Sequence, residues 1–356
     1  MMRAHTAARL ILNVVSYLAI ILLVTWEQNY LLALGIGTVT EVVLNIWISW
    51  YVEQKYPFLR QRRKEKSTSS LTKRIVRDLK SLFISRISEK MLYCTDNLII
   101  SGFIGVGTVG RYANYCMITQ AISNILTILA NTIQPTVGDY FTEKNRQRNY
   151  EILRQLTFGF FCIASVVSVG LFSLITPFVR DIWLGPSYEL GWGITVFCIV
   201  VLLVRIMGLP LSLVMGVTGL FEKEKNVGAS SALLNLIVSL ALVKPYGMAG
   251  VLLGTLLSYL LQILYRYIIY FRDFLEMPGE ALRYAQDIGE YLAVIAGEVL
   301  LMQKIVPLIY GAGGMLLFCV CFLLCIAIPL LLDLVIFGRG WRLQSIVTMV
   351  KGMRKA

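Results

Sequence analysis

Long runs of apolar residues recur along almost the whole of this 356-residue chain, with short polar segments between them. A helix needs about 20 apolar residues to cross the hydrocarbon core of a bilayer, which is about 30 Å thick. The chain is 57% hydrophobic and only 15% charged, and its mean hydropathy is +0.71. Soluble domains contain roughly 25% charged residues. The sequence therefore predicts an all-α, polytopic membrane helix bundle without a sizeable soluble domain.

About ten transmembrane helices are predicted from the apolar runs and from the polar, Gly and Pro residues that separate them. The first run is read as a retained helix, because no small-residue cleavage site of a signal peptide follows it. The predicted spans lie near residues 8–25, 30–52, 82–101, 108–136, 155–179, 191–217, 226–244, 247–270, 286–308 and 313–336.

Lys and Arg residues are distributed asymmetrically around these helices. The segment 53–81 alone contains ten of them. Because basic residues concentrate in cytoplasmic loops, we place this segment and, by alternation, both termini in the cytoplasm. The cytoplasmic segments then contain 26 of the 33 Lys and Arg residues, and the outer loops contain four. The net charge of +12 is thus explained by membrane topology, and nucleic acid is not an expected partner.

Residues that would indicate catalysis or a cofactor are not found in the sequence. The seven cysteines lie in apolar segments, where Cys behaves as a small hydrophobe, and the only histidine, His5, lies in the amino-terminal flank. The HExxH, GxxxxGK[ST] and GxSxG motifs are missing. The outer loops are too short to form a catalytic domain. We therefore expect neither an enzyme nor a metal or organic cofactor.

The third predicted span is unusually polar. Ionisable residues within a span are costly and usually face a bundle interior or a water-filled cavity. Arg86 and Lys90 are candidates for binding an anionic substrate, although they could instead extend to the cytoplasmic interface. Asp96 and Glu89 are the carboxylates best placed to couple transport to an ion gradient. The polar residues that share about a third of this helix's circumference are Arg86, Glu89, Lys90, Tyr93, Asp96 and Asn97.

The fourth span carries a ladder of neutral polar side chains, which we call the amide ladder. Its members follow one another in alternating steps of four and three residues, so they share one face of the helix. They could hydrogen-bond to a substrate in a cavity, or they could join neighbouring helices. The ladder consists of Gln120, Asn124, Thr127, Asn131 and Gln134.

Arg205 lies deep within the sixth span, among Val and Leu residues and just before Gly208 and Pro210. Even a long side chain reaches an interface with difficulty from this depth. We therefore expect Arg205 to face a polar cavity and to be part of a substrate-binding site.

Two stretches around the third and fourth spans have a recognisable pattern. Residues 95–105 read Thr-Asp-Asn-Leu-Ile-Ile-Ser-Gly-Phe-Ile-Gly, and residues 109–113 read Val-Gly-Arg-Tyr-Ala. They resemble a stretch of the bacterial polysaccharide flippases, the Wzx-like O-antigen and exopolysaccharide translocases of the multidrug/oligosaccharidyl-lipid/polysaccharide exporter superfamily. Pro135 and the segments 219–223 and 246–250 are similar to further recurring features of that family.

The resemblance implies a flippase for undecaprenyl-diphosphate-linked saccharide in the bacterial cytoplasmic (inner) membrane, serving the biosynthesis of surface polysaccharides such as lipopolysaccharide or exopolysaccharide. Family members move the lipid by alternating access between two lobes around a cationic cavity. By this comparison, residues 1–52 resemble the end of the first lobe, 53–81 form a basic cytoplasmic loop, 82–272 form a six-helix second lobe, and 273–356 form a carboxyl-terminal helix pair with a basic tail.

Family members usually have twelve to fourteen spans, so four amino-terminal helices of the family pattern have no counterpart in these ten. We therefore expect an incomplete transporter, which either pairs with a second copy or with another polysaccharide-assembly protein to cover its polar faces, or is a truncated gene product with little activity.

Two other function classes remain open. An integral membrane glycosyltransferase or polymerase would act on the same lipid, but it should display ionisable residues on a sizeable outer loop. A drug or cation exporter of the same superfamily should favour acidic residues in its cavity, whereas the deep charge here is Arg205.

The charge asymmetry makes a testable prediction about topology. A Cys introduced at Ser67, in the basic segment 53–81, should react with a membrane-impermeant thiol reagent only after the cells are opened. A Cys placed at Ser187, in the predicted outer loop between the fifth and sixth spans, is the matched control and should react in intact cells. Labelling of the Ser67 position from outside would reverse the predicted orientation.

Overall fold

A computed structural model describes residues 2–26, 30–55, 76, 94–141, 145–311 and 313–338. Within these ranges the regular secondary structure is entirely helical. The helices are α1 (Met2–Trp26), α2 (Tyr30–Lys55), α3 (94–103), α4 (Val106–Tyr140), α5 (Arg146–Pro177), α6 (Trp192–Val217), α7 (Phe221–Tyr246), α8 (Met248–Ile268), α9 (Pro278–Tyr310) and α10 (Met315–Phe337). Helices α5 and α8 continue into π-helical turns, Phe178–Trp183 and Ile269–Leu275, and a short 3-10 turn, Pro186–Tyr188, precedes α6.

The predicted class, an all-α polytopic membrane protein, is confirmed. In the described part of the chain, seven helices, α4 to α10, are long and apolar enough to cross a membrane. They correspond to the fourth to tenth predicted spans. Helix α1 contains the shorter apolar stretch Asn13–Trp26. Most of the third predicted span, 82–101, lies outside the described residues.

Several helices extend beyond the predicted spans. Helix α5 begins at Arg146 and α9 at Pro278, whereas the predicted spans begin at 155 and 286. The Asn145 side chain caps α5 by accepting a hydrogen bond of 3.2 Å from the Arg148 backbone N–H, and Pro278 occupies the first turn of α9, where its missing N–H costs nothing. Hydropathy marks only the part of a helix suited to hydrocarbon, so these polar first turns were not predicted. Helix α4 likewise continues through Pro135 to Tyr140.

The described contacts divide the chain into two units, Met1–Arg74 and Ile75–Ala356. In the first unit, α1 and α2 pack as an antiparallel pair. The Ser16 hydroxyl donates a hydrogen bond of 2.9 Å to the Thr40 hydroxyl, and Leu44 is buried. The predicted division into a six-helix lobe and a carboxyl-terminal pair stays a prediction, and both of those parts lie within the second unit.

Helix α5 is central to one half of the second unit, where it packs against α6, α9 and α10. Helix α6 connects this group to α4 and α8, and α8 packs along α7. The core is formed by aliphatic and aromatic side chains from all these helices, with Phe161, Ile199, Val251 and Met302 among the fully buried ones.

Helices α5 and α9 run in the same direction. Arg154 pairs with Asp287 through two hydrogen bonds, of 2.6 and 3.0 Å, and Ser165 hydrogen-bonds to Glu298. Both pairs are separated by 133 residues along the chain, so the helices are parallel and in constant register. The three intervening spans, α6, α7 and α8, return the chain to the same direction, as the predicted alternation of spans requires.

The spacing of Gly250 and Gly254 predicts a close contact between helices, because small residues four apart let two backbones approach. The structure confirms this contact. A Cβ atom at Gly250 would collide with the backbone carbonyl of Leu242 in α7, and one at Gly254 would collide with the Ser239 hydroxyl. Helix α8 can therefore lie against α7 only with glycine at these positions.

Gly250→Ala should lower the thermal stability of the purified protein in detergent, because the new methyl group would push α8 away from α7. Overpacking of this kind costs about 1–3 kcal/mol. Gly170→Ala is the matched control, since no atom lies within 4 Å of a Cβ at that position in α5, and replacing a helical Gly by Ala favours the helix. Equal melting temperatures for the two variants would contradict the close α7–α8 contact.

Candidate functional site

Asp96 is buried among three helices, and only 4% of its surface is exposed. It lies near the start of the described part of α3. The Thr255 hydroxyl of α8 lies 2.9 and 2.8 Å from the two carboxylate oxygens of Asp96 and shares its single hydrogen between them. The Asn235 side chain of α7 donates a hydrogen bond of 2.8 Å to the Thr255 oxygen and also interacts with Asp96. Helices α3, α7 and α8 are thus joined by a buried polar cluster.

Further oxygens surround this cluster. Asn235 is fully buried, and its side-chain carbonyl oxygen has no hydrogen-bond partner. The Ser239 hydroxyl, one turn along α7, donates a hydrogen bond of 3.2 Å to the Val251 carbonyl oxygen. We call Asp96, Asn235, Thr255 and the Val251 carbonyl the Asp96 cluster. Glycine at 254 brings these groups together, because a side chain there would displace Ser239.

The chemistry of the Asp96 cluster suits a small, hard cation. Its groups are carboxylate, amide, hydroxyl and backbone carbonyl oxygens, the ligand types that such cations prefer. In the described residues, no Lys, Arg or His forms an ion pair with Asp96, and no group of three His, Cys, Asp or Glu residues could hold a metal ion. An ionisable side chain buried in a membrane span is a candidate for an ion pathway.

Among the other predicted residues of the third span, only Asn97 lies within the described part of the chain. Arg86, Glu89 and Lys90 lie outside the described residues. Asn97 follows Asp96 but is exposed. Asp96 is therefore the described member of the predicted polar stripe that points into the bundle.

The amide ladder lies along an open side of α4. Asn124, Thr127 and Asn131 are exposed, whereas Gln120 and Gln134 at the two ends are half-buried. Gln120 donates a weak hydrogen bond of 3.4 Å to the Asn124 side chain, within the ladder itself. An adjoining face of α4 carries the buried residues Leu126, Ala130 and Val137. The ladder thus remains accessible in this structure.

Arg205 is half-buried in α6, and its guanidinium lies over the ring of Tyr259 in α8, 5.4 Å from the centroid. A cation–π contact of this kind stabilises a charge away from bulk water. Helices α4 and α6 are parallel, because Tyr115 bonds to the Leu190 backbone at one end and Gly138 approaches Val217 at the other. Arg205 therefore lies at about the depth of Thr127, midway along the ladder.

Sequence reasoning missed several buried polar residues. Asn235 and Thr255 complete the Asp96 cluster, and a signal for them exists: Ser231, Asn235 and Ser239 recur every four residues in an apolar run, which places them on one helix face. It also missed Glu298, in the ninth predicted span, and Asp333, the one carboxylate of the tenth. Both are buried in the structure, and their position within apolar runs would have identified them.

The helices and their internal polar groups define a multi-pass helical membrane protein with buried ionisable sites. Residues 1–141 match the family model of polysaccharide biosynthesis proteins. The match is less than half of the 356 residues; it ends beside the last residues of α4 and includes the motif segment 95–113. No curated protein matches the chain. The similarity agrees with the resemblance that the motifs indicated, at the level of a polysaccharide biosynthesis membrane protein.

Thr255→Val should destabilise the protein, because valine keeps the shape of threonine but leaves the buried Asp96 carboxylate without its hydroxyl donor. A hydrogen bond to a charged group contributes about 1.5–3 kcal/mol. Thr132→Val is the matched control, since the exposed Thr132 hydroxyl bonds only to the Ile128 carbonyl of its own helix. Thermal unfolding in detergent should separate the two variants, and Thr255→Ser should retain most of the wild-type stability. A Thr255→Val protein as stable as Thr132→Val would show that the cluster contributes nothing to folding.

Proposed function

We propose that this protein is a flippase that moves an undecaprenyl-diphosphate-linked saccharide across the cytoplasmic membrane for cell-surface polysaccharide biosynthesis. The family match of residues 1–141 supports the pathway. The observation that carries the transport role is that Arg205 and the amide ladder lie at about the same depth in a bundle of membrane-spanning helices. No bond of the substrate is broken by such a protein, so it acts as a transporter and not as an enzyme.

The substrate makes three demands that these residues can meet. Its diphosphate needs a cation, and the Arg205 guanidinium offers several N–H donors in a planar fork suited to phosphate. Its sugar hydroxyls need partners that both donate and accept hydrogen bonds, as the amides Gln120, Asn124, Asn131 and Gln134 do. Its prenyl tail stays in lipid. Arg86 and Lys90 would supply additional positive charge near the cytoplasmic entrance.

Energy for the transport step would come from an ion gradient through the Asp96 cluster. Binding of a proton or Na⁺ would neutralise the carboxylate and use the unpaired Asn235 oxygen. Because α3, α7 and α8 meet at this cluster, the presence or absence of the ion would change how tightly the three helices pack. Glu89 is the second candidate for this coupling.

A partner is needed to enclose the substrate. Polar side chains that face hydrocarbon cost free energy, and Asn124, Thr127 and Asn131 are exposed in this structure. The partner would be a second copy of this chain or another polysaccharide-assembly protein. Its surface would close a water-filled cavity over the ladder.

Complementation of a flippase-deficient strain tests the proposal through Arg205. Arg205→Ala should lower export of the saccharide at unchanged protein level, since loss of charge-assisted hydrogen bonds of about 1.5–3 kcal/mol corresponds to roughly 10–100-fold in affinity. Arg205→Lys should restore part of the activity as a point charge. Arg283→Ala is the control, because this exposed arginine pairs with Glu280, at 2.8 Å, in its own helix α9.

Two results would contradict the proposal. Wild-type export by Arg205→Ala would remove this residue from substrate binding. Failure of the wild-type chain to flip a labelled undecaprenyl-diphosphate saccharide in proteoliposomes, either alone or with its partner and with either a proton or a Na⁺ gradient imposed, would exclude the transport function.

A further inference from the structure

Two carboxylates from different helices are buried together at a second place in the bundle. Glu298 of α9 is 2% exposed and Asp333 of α10 is 4% exposed. The two interact electrostatically, and both lie beside Ser165 of α5. This site, formed by Ser165, Glu298 and Asp333, joins α10 and α9 to α5, whereas the Asp96 cluster joins α3, α7 and α8.

The hydrogen bonds at this site are incomplete. The Ser165 hydroxyl donates to Glu298 Oε2 at 2.6 Å, and a hydroxyl has only one hydrogen to give. Glu298 Oε1 and both carboxylate oxygens of Asp333 are buried without a hydrogen-bond partner. Ionised carboxylates only accept hydrogen bonds, so two of them side by side leave three acceptors and no donor.

Nearby positive charge does not compensate these carboxylates. Among the described residues, none of the ion pairs involves Glu298 or Asp333. The closest arginine along α5 is Arg154, about three turns from Ser165, and it is bound to Asp287 at 2.6 Å. The Cys162 thiol of α5 lies beside both carboxylates. Along the other two helices, Tyr291 lies two turns from Glu298 on α9, and Cys325 lies two turns from Asp333 on α10.

Aromatic rings separate the site from the Arg154–Asp287 ion pair. Phe161 stacks on Tyr291 with 4.4 Å between ring centroids, and Phe337 meets Phe161 edge-on at 5.5 Å. Phe158 meets Phe337 at 5.6 Å. Phe161 and Phe337 lie about one turn from Ser165 and Asp333, and Phe158 and Tyr291 lie about two turns from Ser165 and Glu298. The four rings thus form an apolar layer on the side of the carboxylates that faces the Arg154–Asp287 pair.

We propose that Glu298 and Asp333 form a proton-binding site that holds one proton in the folded protein at neutral pH. The proton resides on Asp333, which then donates a hydrogen bond to Glu298 Oε1, while Ser165 continues to donate to Glu298 Oε2. One bound proton thereby converts two repelling anions into a hydrogen-bonded pair that connects α10 to α9 and α5. Like charges in a shared apolar site cannot both ionise at low cost.

This site is independent of the proposed flippase activity, because it needs neither a substrate nor the Asp96 cluster. Loss of the proton would place two negative charges at the contact between α9 and α10. The two helices would then repel each other at a place where they are now in contact. The packing of α10 against α9 and α5 would therefore depend on pH.

Infrared spectroscopy of the purified protein tests the proposal directly. The wild-type spectrum at neutral pH minus that of Asp333→Asn should show the C=O stretching band of a protonated carboxyl group, and the double variant Glu298→Gln/Asp333→Asn should give the same difference. Asparagine and glutamine keep the shape of the site and can supply the N–H donor that the proton supplies in the wild type. Glu280→Gln, at a carboxylate of α9 that pairs with Arg283 at 2.8 Å, is the control and should leave the band unchanged.

Two results of the infrared measurement would overturn the proposal. A wild-type difference spectrum without a protonated-carboxyl band would overturn the proposal. Loss of the band on adding Na⁺ at constant pH would also overturn it, because the site would then bind a metal cation. Asp96→Asn should retain the band, so failure of this proposal is distinguishable from failure of the ion-coupling role of Asp96.

Thermal unfolding as a function of pH gives a second readout. The folded protein holds a proton that the unfolded chain releases near neutral pH, so stability should fall as the pH rises, with the unfolding equilibrium constant changing up to about tenfold per pH unit. The double variant should lose this contribution to the slope. Identical slopes for the wild type and the double variant would contradict proton binding at this site.

Discussion

Water is not available to polar groups in the hydrocarbon core of a membrane, and this constraint governs the arrangement of the second unit. Every buried donor or acceptor must find its partner on another part of the protein. Where partners are complete, as between Arg154 and Asp287, the contact joins two helices at a defined register. Where they are incomplete, as at Asn235 and Asp333, the structure contains an acceptor that a bound ion or proton can satisfy. The unsatisfied positions are therefore informative about function.

The Asp96 cluster depends on how closely two backbones can approach. Polar side chains such as Asn235 and Thr255 are short, so they reach across a helix interface only when the interface is tight. Glycine at positions 250 and 254 allows that approach, and the neighbouring Ser239 then bonds to a backbone carbonyl of the opposite helix. The glycines that allow α7 and α8 to pack closely therefore also bring the polar groups of the Asp96 cluster together.

Much of the fold was predictable from the sequence, because the length of an apolar run and the width of a bilayer are directly comparable. The helices α4 to α10 follow from this rule, and the ends that it missed, such as the first turns of α5 and α9, are those that carry charge. Asp96 was identified from the sequence because an ionisable residue within a membrane span costs free energy and is therefore seldom placed there without a function. Its partners were not, because Asn and Thr are common in helices and only the distance between α7 and α8 shows which of them meet.

Arg205 and the amide ladder illustrate a different limit of sequence reasoning. Helical periodicity correctly placed the ladder on one side of α4, but it did not distinguish a side that packs from one that stays open. The depth of Arg205 in its span predicted a polar environment. The structure adds a contact with the ring of Tyr259 in α8, which the periodicity of α6 alone does not predict. The residues that surround such a side chain come from helices distant in the sequence, so only the tertiary packing identifies them.

The parallel register of α5 and α9 has a mechanical consequence. Two polar attachments about three turns apart fix both the axial position and the rotation of one helix on the other, so sliding by a single turn would break both at once. We expect the two helices to move together as one rigid unit during any conformational change. The chain enters α9 through the π-helical turn Ile269–Leu275 and through Glu276, which has a left-handed backbone conformation (φ 53°). Glu276 pairs with Arg146 of α5 at 2.6 Å, so the first turn of α5 is also attached to the segment that leads into α9, and any relative movement has to be taken up by other helices.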